Sequence, residues 1–181
     1  MIKFALALWL LVSAGAASAS VADFNKGAEA FRQKNYAQAR LHWSESIGNG
    51  GPSESFNNLG FLYYQGWGVP RDRERAVALW RKGAALAVSE SQLHLGEAYA
   101  KGHGGLRRSR KHAFAWYECA RVTASRLSAS EAVEKKIENS AIEALAKLTP
   151  TLSKADRAAG DLLAQEYISK YASPLPVLMA K

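Results

Sequence analysis

Cysteine is almost missing from this sequence: Cys119 is the one thiol in 181 residues. An intramolecular disulfide is therefore excluded, and stability has to come from packing. Long apolar runs are missing too. The longest, Phe4 to Val12, falls short of the roughly 20 residues that a helical membrane span needs. The chain has no G-x-S-x-G, H-E-x-x-H, P-loop or paired-cysteine motif, so the common nucleophile, zinc and phosphate sites have no local signature. Its four histidines, His42, His94, His103 and His112, lack tight metal-ligand spacing. No catalytic residue, cofactor or metal site is expected. Acidic residues are the scarcer charge, 16 against 24 basic ones. The excess is moderate and is not interleaved with aromatics in a basic stripe, which argues against nucleic acid and toward acidic protein surfaces, anionic lipid heads or cell-wall polymers.

What is present begins with a leader. Lys3 precedes the apolar run, and small residues follow from Ser13 to Ala19, the layout of a secretory signal peptide. Residues 1–19 are read as that signal, with a cut after Ala22 as the alternative. Removal of Lys3 leaves a formal charge of +7. The expected location is periplasmic, or alternatively secreted, with no stable membrane span once the signal is gone.

The fold is carried by an internal repeat. Leu59, Gly60, Tyr63, Gly66 and Gly68 recur as Leu95, Gly96, Tyr99, Gly102 and Gly104, and Trp80 recurs as Trp116, all at an offset of 36 residues. A shorter earlier copy places Gly27 at the helix glycine and Trp43 at the aromatic. Glycine inside a helix costs roughly 1 kcal/mol against alanine, so a recurrent one implies a partner helix too close for a side chain. Gly66 and Gly68 end a helix by supplying positive φ, Pro70 prevents continuation, and Asp72 is placed to cap the next helix.

Leu59-Gly60-x-x-Tyr63, Gly66-x-Gly68-Val69-Pro70-x-Asp72 and Ala76 to Trp80 resemble the Sel-one-like repeat family, a branch of the tetratricopeptide superfamily. The copy at 23–51 is more similar to an ordinary tetratricopeptide unit; 53–88 matches well, and 89–124 departs at Gly105-Leu106 and Ser109. The resemblance implies an all-α, right-handed superhelical solenoid of antiparallel helix pairs, about three repeats within one repeat domain, 23–171. Two further helices are expected, about 129–148 and 150–171. The first carries the stripe Val133, Ile137, Ala141, Leu145 and Leu148. The second is capped by Thr149-Pro150, with Leu152, Ala155, Ala159, Leu163 and Tyr167 inward. Residues 172–181 read as a tail.

The same resemblance implies a protein or peptide partner held in a concave groove. The groove-facing positions would be Phe24, Ala28 and Phe31 in the first copy, Asn57, Phe61 and Tyr64 in the second, and Leu93, Glu97 and Lys101 in the third. An amide at Asn57 suits an extended backbone, and a phenol at Tyr64 adds flat area with a polar tip. Trp67, between two loop glycines, is either an exposed anchor or a ring folded back over the hairpin end. Arg107, Arg108, Arg110, Lys111 and His112 form the densest basic run, either a solvated turn or the place where an acidic partner docks. Cys119 reads as core, and His94 with Glu97 as a surface ion pair. The alternative function is a cell-wall or polysaccharide-binding protein that uses the basic loop and Trp67.

Overall fold

The computed structural model describes residues 19–127 and 132–172, and every regular element among them is helical. Almost all of the expected signal, and the tail from 173 on, lie outside the described residues. The sequence reads as one domain; the structure divides it into two compact units, 1–71 and 72–181.

In the first unit, α1 covers 19–32, α2 Tyr36–Gly48 and α3 Glu54–Gln65. The α1–α2 turn is short because Lys34 takes a left-handed conformation at φ 59° and the Asn35 side chain accepts from Gln38 N at 3.4 Å. A Cβ on Gly27 would lie 2.5 Å from the Trp43 indole, so the glycine is what lets α1 meet that ring. Trp43, Leu59, Leu62 and Tyr63 are buried together with Ala39. Burial of each large side chain stabilises by about 1.5–3 kcal/mol. Gly66 then ends α3 in the left-handed region, φ 76°, its N–H donating to Leu62 O.

The second unit is built around α6. It contains α4 (Arg73–Ala85), α5 (Ser89–Lys101), α6 (Arg110–Leu127), α7 (Ala132–Leu148), a 3₁₀ turn at Thr149–Thr151 and α8 (Lys154–Tyr171). Asp72 caps α4 as expected, accepting from Arg75 N at 2.9 Å. Helix α6 lies against α5, α7 and α8, and Ala113, Phe114, Ala115 and Tyr117 form the core with Leu145 and Ala164. Small residues along α6 allow three neighbours to approach at once. Cys119 is fully buried, and burial pushes its thiol up to about 12, as a core residue requires.

Several expectations for the C-terminal helices need correction. Thr149-Pro150 does not start α8; it forms the 3₁₀ turn, and Ser153 caps the helix by accepting from Asp156 N at 3.0 Å. A Ser-x-x-Asp box satisfies a helix N–H directly, which a Pro at the first position only avoids needing. Of the expected inward residues, Leu152, Leu163 and Tyr167 pack against the core, Gly160 and Ala164 are buried on the same helix, and Ala155 is exposed. Val133, expected in the α7 stripe, is 63% exposed, because the inward face begins one turn later, at Ile137.

Candidate binding groove

Helices α5, α6 and α7 enclose a groove of about 580 Å³ within the second unit. From α5 come Glu97, Ala100 and Lys101, from the loop and the start of α6 Arg108 and Arg110, and from mid-α6 Tyr117. The far wall is Ser140, Glu143, Ala144, Lys147 and Leu148 of α7, with Thr151 beyond it. The volume falls in the range of ligand-sized clefts, about 300–1,000 Å³.

Local structure explains each placement. Glu97, Ala100 and Lys101 share one face of α5 at three- and four-residue spacing, and Lys101 Nζ is 3.4 Å from the Glu97 carboxylate. Both partners are about half exposed, so this pair contributes little to stability and is free to exchange for a ligand. Tyr117 is buried under α5 because Gly96 has no side chain; a Cβ there would collide with the Tyr117 ring. Burial, with the Glu97 charge nearby, pushes the Tyr117 phenol upward. The phenol therefore stays neutral.

Gly102, Gly104 and Gly105 all have positive φ, between 64° and 75°, and the loop they form turns back so that Ser109 N donates to Tyr99 O at 2.9 Å. Arg108 and Arg110 thereby come to the groove mouth. Ser109 Oγ meets His112 Nδ1 at 2.8 Å, three residues on. The His112 ring also stacks on Tyr99 at 5.1 Å. A smaller concavity of about 350 Å³ adjoins, lined by Arg108, Ser109, Arg110, Lys111 and Asp156. Four cationic side chains thus face the groove against two carboxylates, a net positive field in a partly dehydrated cleft.

Of the residues singled out from the sequence, Glu97, Lys101, Arg108 and Arg110 meet in this groove. Lys111 lies in the adjoining concavity, and Arg107 is exposed. Leu93 packs against the α6 core instead. In the first unit, Phe31 and Phe61 pack with each other at 6.4 Å, and Trp67 folds back over both. Trp67 stacks on Tyr36 at 4.8 Å and remains 38% exposed. Phe24 and Tyr64 are half-buried. Asn57 is only 3% exposed, so its amide does not face solvent. The His94 ring lies on Trp80 at 4.6 Å, and burial, opposed by the nearby Glu97 charge, lowers its pKa to about 4.

Sequence reasoning missed the α7 wall. Ser140, Glu143 and Lys147 look like the polar outer face of a terminal helix, and only the fold turns that face toward α5.

The Sel1 repeat family model matches residues 54–88 and 89–121. No curated protein matches the chain. The crystal structure of a protective antigen present in uropathogenic Escherichia coli strains, displaying an SLR fold, superposes with a TM-score of 0.72 at 28% identity, over 84% of this chain and 30% of that one. This chain therefore spans under a third of the antigen's length. A Sel1 repeat protein from Oxalobacter formigenes is a more distant likeness, with a TM-score of 0.42 and 17% identity over 72% of this chain and 55% of that one. The fold class is the all-α solenoid expected from the repeat, and Sel1 repeats mediate protein–protein interaction. Residues 54–88 and 89–121 are thus two consecutive Sel1 repeats, in a chain whose fold is similar to the SLR fold.

Proposed function

We propose that the chain is an exported, non-catalytic adaptor that holds an acidic segment of a partner protein in the groove between α5, α6 and α7. The observation that carries this reading is the convergence of Lys101, Arg108, Arg110 and Lys147 on one cleft, with Ala100, Ala144 and Leu148 as apolar lining. Arginine forks match carboxylates in paired hydrogen bonds. The alanine and leucine surfaces supply burial, and the positive field supplies orientation and association rate. The leader at 1–19 supports the periplasm as the place of action.

The test is capture of a partner from an envelope fraction by the wild-type protein and by the Arg108→Glu/Arg110→Glu variant. Loss of the captured species, with an unchanged circular dichroism spectrum and melting temperature, is expected. Equal capture by both proteins would reject the groove. The polymer-binding alternative has less support, because Tyr36 already occupies one face of Trp67.

A further inference from the structure

Outside the groove, the first unit gathers a mixed set of donors that no local spacing announces. Asp23 projects from α1, while His42 and Glu45 share one face of α2. One ligand atom from each of the three lies within 4.8 Å of the other two. We propose that Asp23, His42 and Glu45 form a binding site for a divalent transition ion of the zinc type, which ties α1 to α2.

The geometry is close to what such an ion requires. Zinc bonds to nitrogen and oxygen are about 2.0–2.2 Å long, which separates tetrahedral ligand atoms by roughly 3.4 Å. His42 Nδ1 and Glu45 Oε2 are already 3.3 Å apart. Closure then asks only that Asp23 approach. Its side chain is 16% exposed and anchored on one oxygen by Asn49 Nδ2 at 3.5 Å and on the other by Lys26 Nζ at 3.4 Å. Lys26 is 61% exposed, so its ammonium swings into water at small cost and frees the oxygen it holds. The Asn49 contact orients the carboxylate from outside the ligand shell, a recurring arrangement around protein-bound metals.

The donor chemistry selects the ion class. One imidazole with two carboxylates suits zinc and its first-row neighbours, whereas calcium and magnesium prefer an all-oxygen shell. Three protein ligands leave a position for water. Because Asp23 belongs to α1 and the other two to α2, the ion would cross-link the first hairpin and bind the folded state alone.

The experiment is calorimetric titration of the tag-free mature chain with zinc chloride, and separately with magnesium chloride. His42→Ala, Glu45→Gln and His103→Ala variants are run alongside. Saturable binding of one zinc per chain is expected, weakened at least tenfold in His42→Ala and Glu45→Gln and unchanged in His103→Ala, with no magnesium binding. Cobalt substitution should give a visible d–d band that His42→Ala abolishes. Absence of saturable zinc binding, or binding that both variants leave intact, overturns the proposal. Glu45→Gln keeps the size of the side chain, so it reports on ligation even if His42→Ala unfolds.

Discussion

The side-chain amide of Gln92 on α5 donates to the backbone carbonyl of Tyr171, the last residue of α8, at 2.8 Å. The same nitrogen lies 3.3 Å from Ala84 O, so one fully buried glutamine satisfies the ends of two helices. Arg126 and Cys119 do similar work, reaching Ala172 O and Tyr167 O. Helix α8 is therefore fastened by side chains of α5 and α6 as well as by the packing of Trp116 on Tyr167 and Tyr171.

Replacement of Gln92 by Leu keeps the apolar bulk and takes the side-chain donor from Tyr171 O, while Ala84 O keeps the Ala87 N–H at 3.2 Å. A loss of about 1–3 kcal/mol in urea-induced unfolding is expected, from one buried acceptor left without that donor. A variant as stable as the wild type would show that the Tyr171 carbonyl finds another donor.

Gly96→Ala sets two effects against each other. Alanine favours the helix by about 1 kcal/mol, but its methyl would enter the space of the buried Tyr117 ring. Overpacking of this kind costs about 1–3 kcal/mol. Net destabilisation is expected in denaturant unfolding, and the double variant Gly96→Ala/Tyr117→Leu should recover part of it. Equal losses in the single and double variants would separate Gly96 from Tyr117.

His94 makes stability depend on pH. Its folded pKa is about 4 against an ordinary 6.5, through burial first and the Lys101 charge after it, opposed by Glu97. Between those two values the unfolded chain binds the proton and the folded chain does not. Stability from this group is thus complete above pH 6.5 and falls as the pH drops toward 4. The loss is bounded by about 3 kcal/mol. Urea midpoints at pH 7 and pH 4.5 should differ less in His94→Gln than in the wild type; an equal difference would assign the acid sensitivity elsewhere.

Much of the helical framework was legible because its signals are local. Gly66 and Gly102 stop helices and Asp72 starts one, each within a turn of the residue it acts on. Gly27 and Gly96 mark close approach by recurring inside helices, although the rings they admit, Trp43 and Tyr117, lie far along the chain. Where two local signals compete, the choice was less visible: Thr149-Pro150 and Ser153-x-x-Asp156 both offer a start for α8, and the second satisfies a backbone donor. Long-range placement was not legible. Half of the groove was, because Glu97, Lys101, Arg108 and Arg110 sit within one repeat, but Lys147 reaches it only through the packing of α7 on α6. Asp23 is likewise far in sequence from His42 and Glu45, which it meets across the first hairpin.

Trp67 supports the first unit and not the groove. Trp67→Ala removes the stack on Tyr36 and the edge contact with Phe61, aromatic pairs contributing about 0.5–1.5 kcal/mol each beyond area burial. A lower melting temperature with partner capture retained is expected; lost capture at an unchanged melting temperature would make Trp67 an anchor.

Site-specific photocrosslinking tests the adaptor reading most directly. A benzoylphenylalanine is placed at Ala144, in the groove wall, and in a second protein at Ala78, exposed on α4. Irradiation in an envelope fraction should join the partner to the chain through position 144 and leave position 78 unreacted. Crosslinking to the same partner from 78 but not from 144 would contradict the account.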